Sequence, residues 1–284
     1  MMEKQTMRLI VPDWQAGDNP VYGLGASILA AIAPKNPEQV TVKLSLKQEG
    51  GPRQGKVNHQ EVIKNNLLQT KRAIARQAPD KIITLGGNCL VSQAPIDYLN
   101  GHYKGKIGVV WLDAHPDISN PQIFDNEHAM VVANLLQMGD PIFNQLVENP
   151  LRAQQIFYAG LQMPTTEEQT LLRQAGIDFK GHQELSIAAV KAWAQQNQFD
   201  RLYLHFDIDV LNPQSFYATY FNNPALKDIP DNAAKGTARV AETFNFIKDI
   251  NQEFDLVGMT IAEYMPWSAQ QLSALMQNLQ LFQG

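Results

Sequence analysis

The 284-residue chain holds one cysteine, Cys89, so no intrachain disulfide can form and a reducing compartment is expected. Long apolar runs are missing too: nothing approaches the roughly 20 residues that span a bilayer, and Met1 to Gln5 is a polar start without the apolar segment of a secretory signal. Basic residues are outnumbered, 23 Lys and Arg against 28 Asp and Glu, and the net charge of −5 offers no footprint for nucleic acid or anionic lipid. These absences leave a cytoplasmic protein acting on a small soluble molecule as the expectation. The most informative absence is local. Neither Lys nor Arg occurs from Ile107 through Pro150 or from Leu202 through Leu226.

Those two stretches are filled by apolar sequence carrying acids. Val109-Val110-Trp111-Leu112 reads as a strand covered on both faces, the kind found in parallel sheets with helices on either side. It ends in Asp113-Ala114-His115-Pro116-Asp117, so Asp113, His115 and Asp117 fall at the carboxyl edge of the sheet, where open α/β folds bind ligands. Leu202 to Val210 repeats the pattern, with His205, Asp207 and Asp209 at i, i+2 and i+4 and hence on one face of a strand. A lone Asp or His after a strand is ordinarily a loop or capping residue. Two strands that each carry two or more such groups among apolar neighbours differ, because an unpaired buried ion costs several kcal/mol. Either a divalent cation or distant basic residues must neutralise them, and the cation is the simpler answer.

Regular alternation of strands and helices argues for one large α/β unit over residues 1–284, and the 44% hydrophobic content suffices for a sizeable core. Further strands are expected at Met7 to Val11, Val40 to Leu46, Lys81 to Leu85, Gln155 to Ala159 and Leu256 to Ile261. Helices are expected at Ala26 to Ile32, Glu61 to Arg76, Ser92 to Leu99, His128 to Met138, Glu167 to Gln174, Leu185 to Gln196 and Ala241 to Ile250, with an amphipathic closing helix from Ser268 to Leu281. Gly23-x-Gly25 lacks the third glycine and the strand-to-helix setting of a dinucleotide site. Gly86-Gly87 ends a buried strand, where paired glycines serve a tight turn or a close approach to a ligand, the turn being the ordinary role. Gln48 to Gly55 is a charged, Gly-rich loop, and Asn212 to Lys235 is an irregular stretch of a length that is usually functional or mobile.

Gly86-Gly87-Asn88-Cys89, Asp113-Ala114-His115-Pro116-Asp117, His128-Ala129-Met130, Asp207-Ile208-Asp209-Val210-Leu211-Asn212-Pro213 and Glu263-Tyr264-Met265-Pro266 occur in that order. In order and approximate spacing they resemble the ureohydrolases (arginase, agmatinase, formiminoglutamase), and the likeness runs from about Ile82 to Pro266. The resemblance implies a three-layer α/β/α, arginase/deacetylase-like fold with a mostly parallel sheet of about eight strands. It also implies a homo-oligomer and a two-manganese centre that activates water for attack on a guanidino, amidino or formimino carbon; carboxylate and imidazole ligands suit Mn²⁺. Carried over residue by residue, one metal takes Asp113, His115, Asp207 and Asp209. The other takes Asp113, Asp117, Asp207 and Cys89, which stands where the family has histidine. His128 matches the family's proton-shuttling histidine, and Glu263 the carboxylate that pairs with the substrate cation.

The departures matter as much. Cys89 either ligates as thiolate, which shifts preference toward Zn²⁺ or Fe²⁺, or packs as a small buried hydrophobe. Asn88 replaces an aspartate, and Asn212 replaces the aspartate of the usual Asp-Pro. His205 replaces a serine and is an extra ligand, a support for one, or a satisfied core histidine. The loop between Asp117 and His128 and the stretch after Pro213 do not match the patterns that select arginine or agmatine, so the substrate is open. Two other functions stay in play: a mononuclear deacylase, because losing one histidine leaves the first ligand set complete, and a non-catalytic descendant that binds metal or a partner in the same cleft.

Overall fold

Parallel strands need crossover connections rather than tight hairpins, and the apolar runs of this chain are separated accordingly by helices. The computed structural model describes residues 5–47, 49–53, 56–179, 182–226 and 233–282. Its strands are β1 (Thr6–Val11), β2 (Val40–Lys43), β3 (Lys81–Gly86), β4 (Ile107–Leu112), β5 (Ile156–Ala159), β6 (Arg201–Asp207) and β7 (Asp255–Ala262). They form one sheet in the order β2-β1-β3-β7-β6-β4-β5, and every neighbouring pair is parallel. Seven strands therefore stand, among the described residues, where about eight were expected.

The helices are α1 (Val21–Ile32), α2 (Gln60–Gln77), α3 (Gln93–His102), α4 (Val131–Leu135), α5 (Pro141–Asn144), α6 (Thr166–Ala175), α7 (Ile187–Asn197), α8 (Val240–Glu253) and α9 (Trp267–Gln277). All six residues of β4 are buried, and they alternate between two cores. Val109 and Trp111 join Ile63 and Leu67 of α2 and Ile96 and Leu99 of α3. Val110 and Leu112 join Val190 of α7 and Phe246 and Ile250 of α8. Helix, sheet and helix thus make three layers, with the sheet buried on both sides.

Several local expectations shift. α1 begins five residues before the expected Ala26, because Gly23 and Gly25 are helical and Gly25 lets the helix touch the chain after β7: a Cβ there would collide with the Tyr264 carbonyl oxygen. The expected helix from His128 to Met138 splits into a 3-10 turn, Glu127–Met130, and the short α4, whose Val132 and Ala133 N–H groups donate to the Asp117 carbonyl at 2.9 and 3.3 Å. The glycine pair stands where the chain bends out of β3, and the close approach it permits is to protein. Gly86 and Gly87 have no left-handed backbone, and a Cβ on Gly87 would collide with the Asp13 carbonyl oxygen, so a neighbouring loop occupies the space. α9 buries only Trp267 and leaves Leu272, Leu275 and Met276 exposed. Residues 48, 54, 55 and 227–232 of the two expected loops lie outside the described residues. No described helix is long and apolar enough to cross a membrane.

Candidate metal centre

Strand order decides what meets at the carboxyl edge. β3, β7, β6 and β4 are consecutive neighbours, so the residues at their ends converge: Cys89 after β3, Glu263 after β7, Asp207 closing β6, and Asp113 after β4. Two of these aspartates brace their own turns. Asp113 Oδ1 accepts from the His115 N–H and Asp207 Oδ1 from the Asp209 N–H, both at 2.7 Å. The second brace corrects an expectation: β6 stops at Asp207, and Asp209 reaches the site from a 3-10 turn, Ile208–Val210, rather than from the face of a longer strand. Asp117 and Glu263 both hold left-handed backbone, φ 45° and 60°, which costs a non-glycine residue on the order of 1–3 kcal/mol. Neighbours fix both: the Asp117 carbonyl takes the two N–H groups of α4, and the Glu263 N–H donates to the Gly87 carbonyl at 2.7 Å.

The side chains then sort into overlapping groups. Ligand atoms of Asp113, His115 and Asp209 lie within 4.8 Å of one another, as do those of Cys89, Asp113, Asp117 and His205, and those of Cys89, Asp207 and Glu263. His115 Nδ1 is 2.9 Å from Asp209 Oδ2, and the Cys89 thiol donates to Asp207 Oδ2 at 2.7 Å and to Glu263 Oε1 at 3.4 Å. A cleft of about 400 Å³ opens over them and includes His128, whose Nδ1 donates to the Ala16 carbonyl at 2.9 Å. His205 does not reach that cleft; it is fully buried beneath it.

The electrostatics ask for a cation. Burial, and then the charges of their neighbours, push the Asp117 and Asp207 carboxyls well above the usual range and lift Glu263 to about 8, while burial raises Asp209 against the opposing charge of His115. Asp113 goes the other way: burial raises it, but His115 and His205 outweigh that and hold it below the usual range. Burial lowers His115, yet Asp209 and Asp113 bring it well above its ordinary value. Burial first, then Asp207 and Glu263, raise the Cys89 thiol, and burial pushes His128 down to about 4. The site's ion pairs, among the described residues, bring it only histidines, and Asp117 Oδ2, Asp209 Oδ1 and His205 Nε2 have no hydrogen-bond partner. Oxygen and imidazole donors left bare in a buried acidic cluster fit a divalent metal.

Three contributors were not singled out from the sequence. The Tyr22 hydroxyl donates to Glu263 Oε2 at 3.0 Å, Trp111 Nε1 donates to Asp113 Oδ2 at 3.0 Å, and Ser92 Oγ meets His205 Nδ1 at 2.8 Å. Trp111 adjoins a ligand motif and could have been suspected. Tyr22 and Ser92 carry no such signal, since their partners lie 241 and 113 residues away.

A family model described as the Arginase family matches residues 31–278. Arginase from Entamoeba histolytica is 23% identical over 194 residues, 65% of this chain and 62% of that protein. Arginase from Coccidioides posadasii is 28% identical over 201 residues, 65% of this chain and 59% of that one. The matched span is therefore under two thirds of either protein's length. In three dimensions, the Entamoeba arginase solved in complex with L-ornithine superposes with a TM-score of 0.75 at 20% identity, covering 94% of this chain and 93% of that one. Formimidoylglutamase from Bacillus subtilis superposes at 0.61 and 16% identity, covering 92% and 79%. These likenesses are likenesses of fold.

Proposed function

The chain belongs to the arginase family of ureohydrolases, and from that premise we propose that it hydrolyses a linear C–N bond in a guanidino, amidino or formimino compound, with divalent metal at the sheet edge. One observation carries the reading. The cleft is lined by Asp113, Asp117, Asp207, Asp209 and Glu263 together with Asp18 and Glu168, and among the described residues by no Lys or Arg. Such a lining requires cations, and a metal and a substrate guanidinium are cations suited to carboxylate oxygens.

Asp113, His115, Asp207 and Asp209 would hold one Mn²⁺, with Asp113, Asp117, Asp207 and Cys89 around a second position. When bound, the metal supplies Lewis acidity, which makes water a nucleophile near neutral pH and offsets the carboxylate charge. Glu263, oriented by the Tyr22 hydroxyl, pairs with the substrate cation. His128 is neutral at pH 7, and the Ala16 carbonyl holds its ring through Nδ1. It takes a proton as the water oxygen bonds to carbon and returns it to nitrogen as the C–N bond breaks. The buried free thiol of Cys89 fits a reducing cytoplasm, and the exposed apolar residues of α9 support self-association into a homo-oligomer, which light scattering would read.

The test is a substrate panel. Manganese-loaded protein should release urea, ammonia or formamide from guanidino, amidino or formimino compounds, and Asp207→Asn should abolish it. Acetate release from acylated amines instead would favour a deacylase. Silence on both panels with metal bound would sink the catalytic reading.

A further inference from the structure

The departures at Cys89 and His205 fall on one group of atoms. Resting on the metal-centre reading above, we propose that Cys89 ligates where the family has histidine and that His205 takes the place given above to Asp207, so that the second metal position is a Cys89, Asp113, Asp117, His205 site selecting Zn²⁺ over Mn²⁺. The four ligand atoms lie within 4.8 Å of one another, and all four residues are buried.

His205 is prepared for this task. Its Nδ1 meets Ser92 Oγ at 2.8 Å, while its Nε2 has no hydrogen-bond partner and stands 3.6 Å from Asp113 Oδ2. With the Nδ1 proton donated to the serine hydroxyl, Nε2 presents a bare lone pair, the arrangement in which a metal-ligating histidine is held by its other nitrogen. The ring is stacked on Trp111, centroids 3.7 Å apart and planes 11° from parallel. The same indole donates to Asp113 Oδ2 at 3.0 Å, so one side chain orients both the imidazole and the carboxylate beside it. A histidine serving only to fill the core would need both nitrogens satisfied, because a buried polar atom without a partner is destabilising. Asp117 adds a second bare atom, its Oδ2.

The donor set then chooses the metal. Thiolate with imidazole and two carboxylates suits Zn²⁺, whereas Mn²⁺ prefers oxygen and gains little from sulfur. The Cys89 S–H bond is exchanged for a sulfur–metal bond, and the proton leaves to solvent, displacing the thiol's contact with Asp207. The oxygen-and-imidazole group of Asp113, His115 and Asp209 keeps its preference for Mn²⁺, so the two positions differ in kind.

Metal-stripped protein is titrated with Zn²⁺, Mn²⁺ and Co²⁺ by calorimetry and absorption. Wild type should take two equivalents of Zn²⁺ but one of Mn²⁺, and the Co²⁺ form should show a thiolate charge-transfer band that Cys89→Ser removes. His205→Ser should lose one Zn²⁺ equivalent, with the circular dichroism of the metal-free form unchanged. Cys89→His combined with His205→Ser should regain the second equivalent and accept Mn²⁺ in it. As a readout needing no substitution, Zn²⁺ should shift the ¹⁵N resonance of His205 Nε2 in the wild type. Two Zn²⁺ equivalents in folded His205→Ser, or an unmoved Nε2 resonance, would overturn this inference and leave the metal centre standing. No binding of any of the three ions to wild type would overturn both.

Discussion

His128 and Glu263 face one cleft, and burial shifts each toward its neutral form: His128 down to about 4, Glu263 up to about 8. For His128 the folded value lies below the unfolded one of about 6.5. Its contribution to stability in the metal-free protein is present above pH 6.5 and lost as pH falls toward about 4. His128→Asn should flatten that acid limb of melting temperature against pH. It should also retain metal and lose roughly 10²- to 10⁴-fold in turnover, the usual worth of a positioned proton carrier. Metal analysis beside kinetics checks this, and a variant that loses its metal would contradict a proton-transfer role. Glu263 has the opposite sign: its contribution to metal-free stability is complete below about pH 4.5 and is lost as pH rises through about 8.

The turn from β3 into α3 shows why a departure from the family pattern can be a local necessity. Asn88 Oδ1 accepts from the Leu90 N–H at 3.0 Å, a cap that aspartate would also make. Its Nδ2 donates to Asp13 Oδ1 at 2.8 Å and to the Asp13 carbonyl at 3.1 Å, which aspartate cannot do. Asp13 is buried and takes a further hydrogen bond from Asn66 at 2.7 Å, so an acid at position 88 would face a carboxylate that burial has already raised. Asn88→Asp should destabilise the protein by about 1–3 kcal/mol at neutral pH. The deficit should shrink as pH falls toward about 4, where a proton restores the donor. Thermal melts across pH measure it, and a pH-independent loss would point to packing.

For the molecule as a whole, the acidic edge ties stability to metal. Burial, then the charges of Asp209 and Glu263, oppose ionised Asp207, so Asp207→Asn should leave the metal-free protein as stable as wild type or more so. With metal present the order should reverse: wild type gains about 2.7 kcal/mol at a hundredfold excess over Kd, and the variant gains less and binds less metal. Melting curves with and without chelator, alongside elemental analysis, give both signs. Equal gains in the two proteins would remove Asp207 from the ligand set.

Apolar runs, residue spacing and motifs determined a buried parallel sheet and the placement of Asp113, His115, Asp117 and Asp207 at its carboxyl edge, because strand burial and side-chain alternation are local properties of the chain. Tertiary structure alone decided that β7 enters between β3 and β6, which sets Glu263 beside Cys89 across 174 residues. It alone decided that β6 ends before Asp209, that Gly87 yields to the Asp13 loop, and that His205 lies under the cleft between Trp111 and Ser92. Spacing put His205 on the face of Asp207, but only the neighbouring strand and helix determine what each nitrogen of its ring meets.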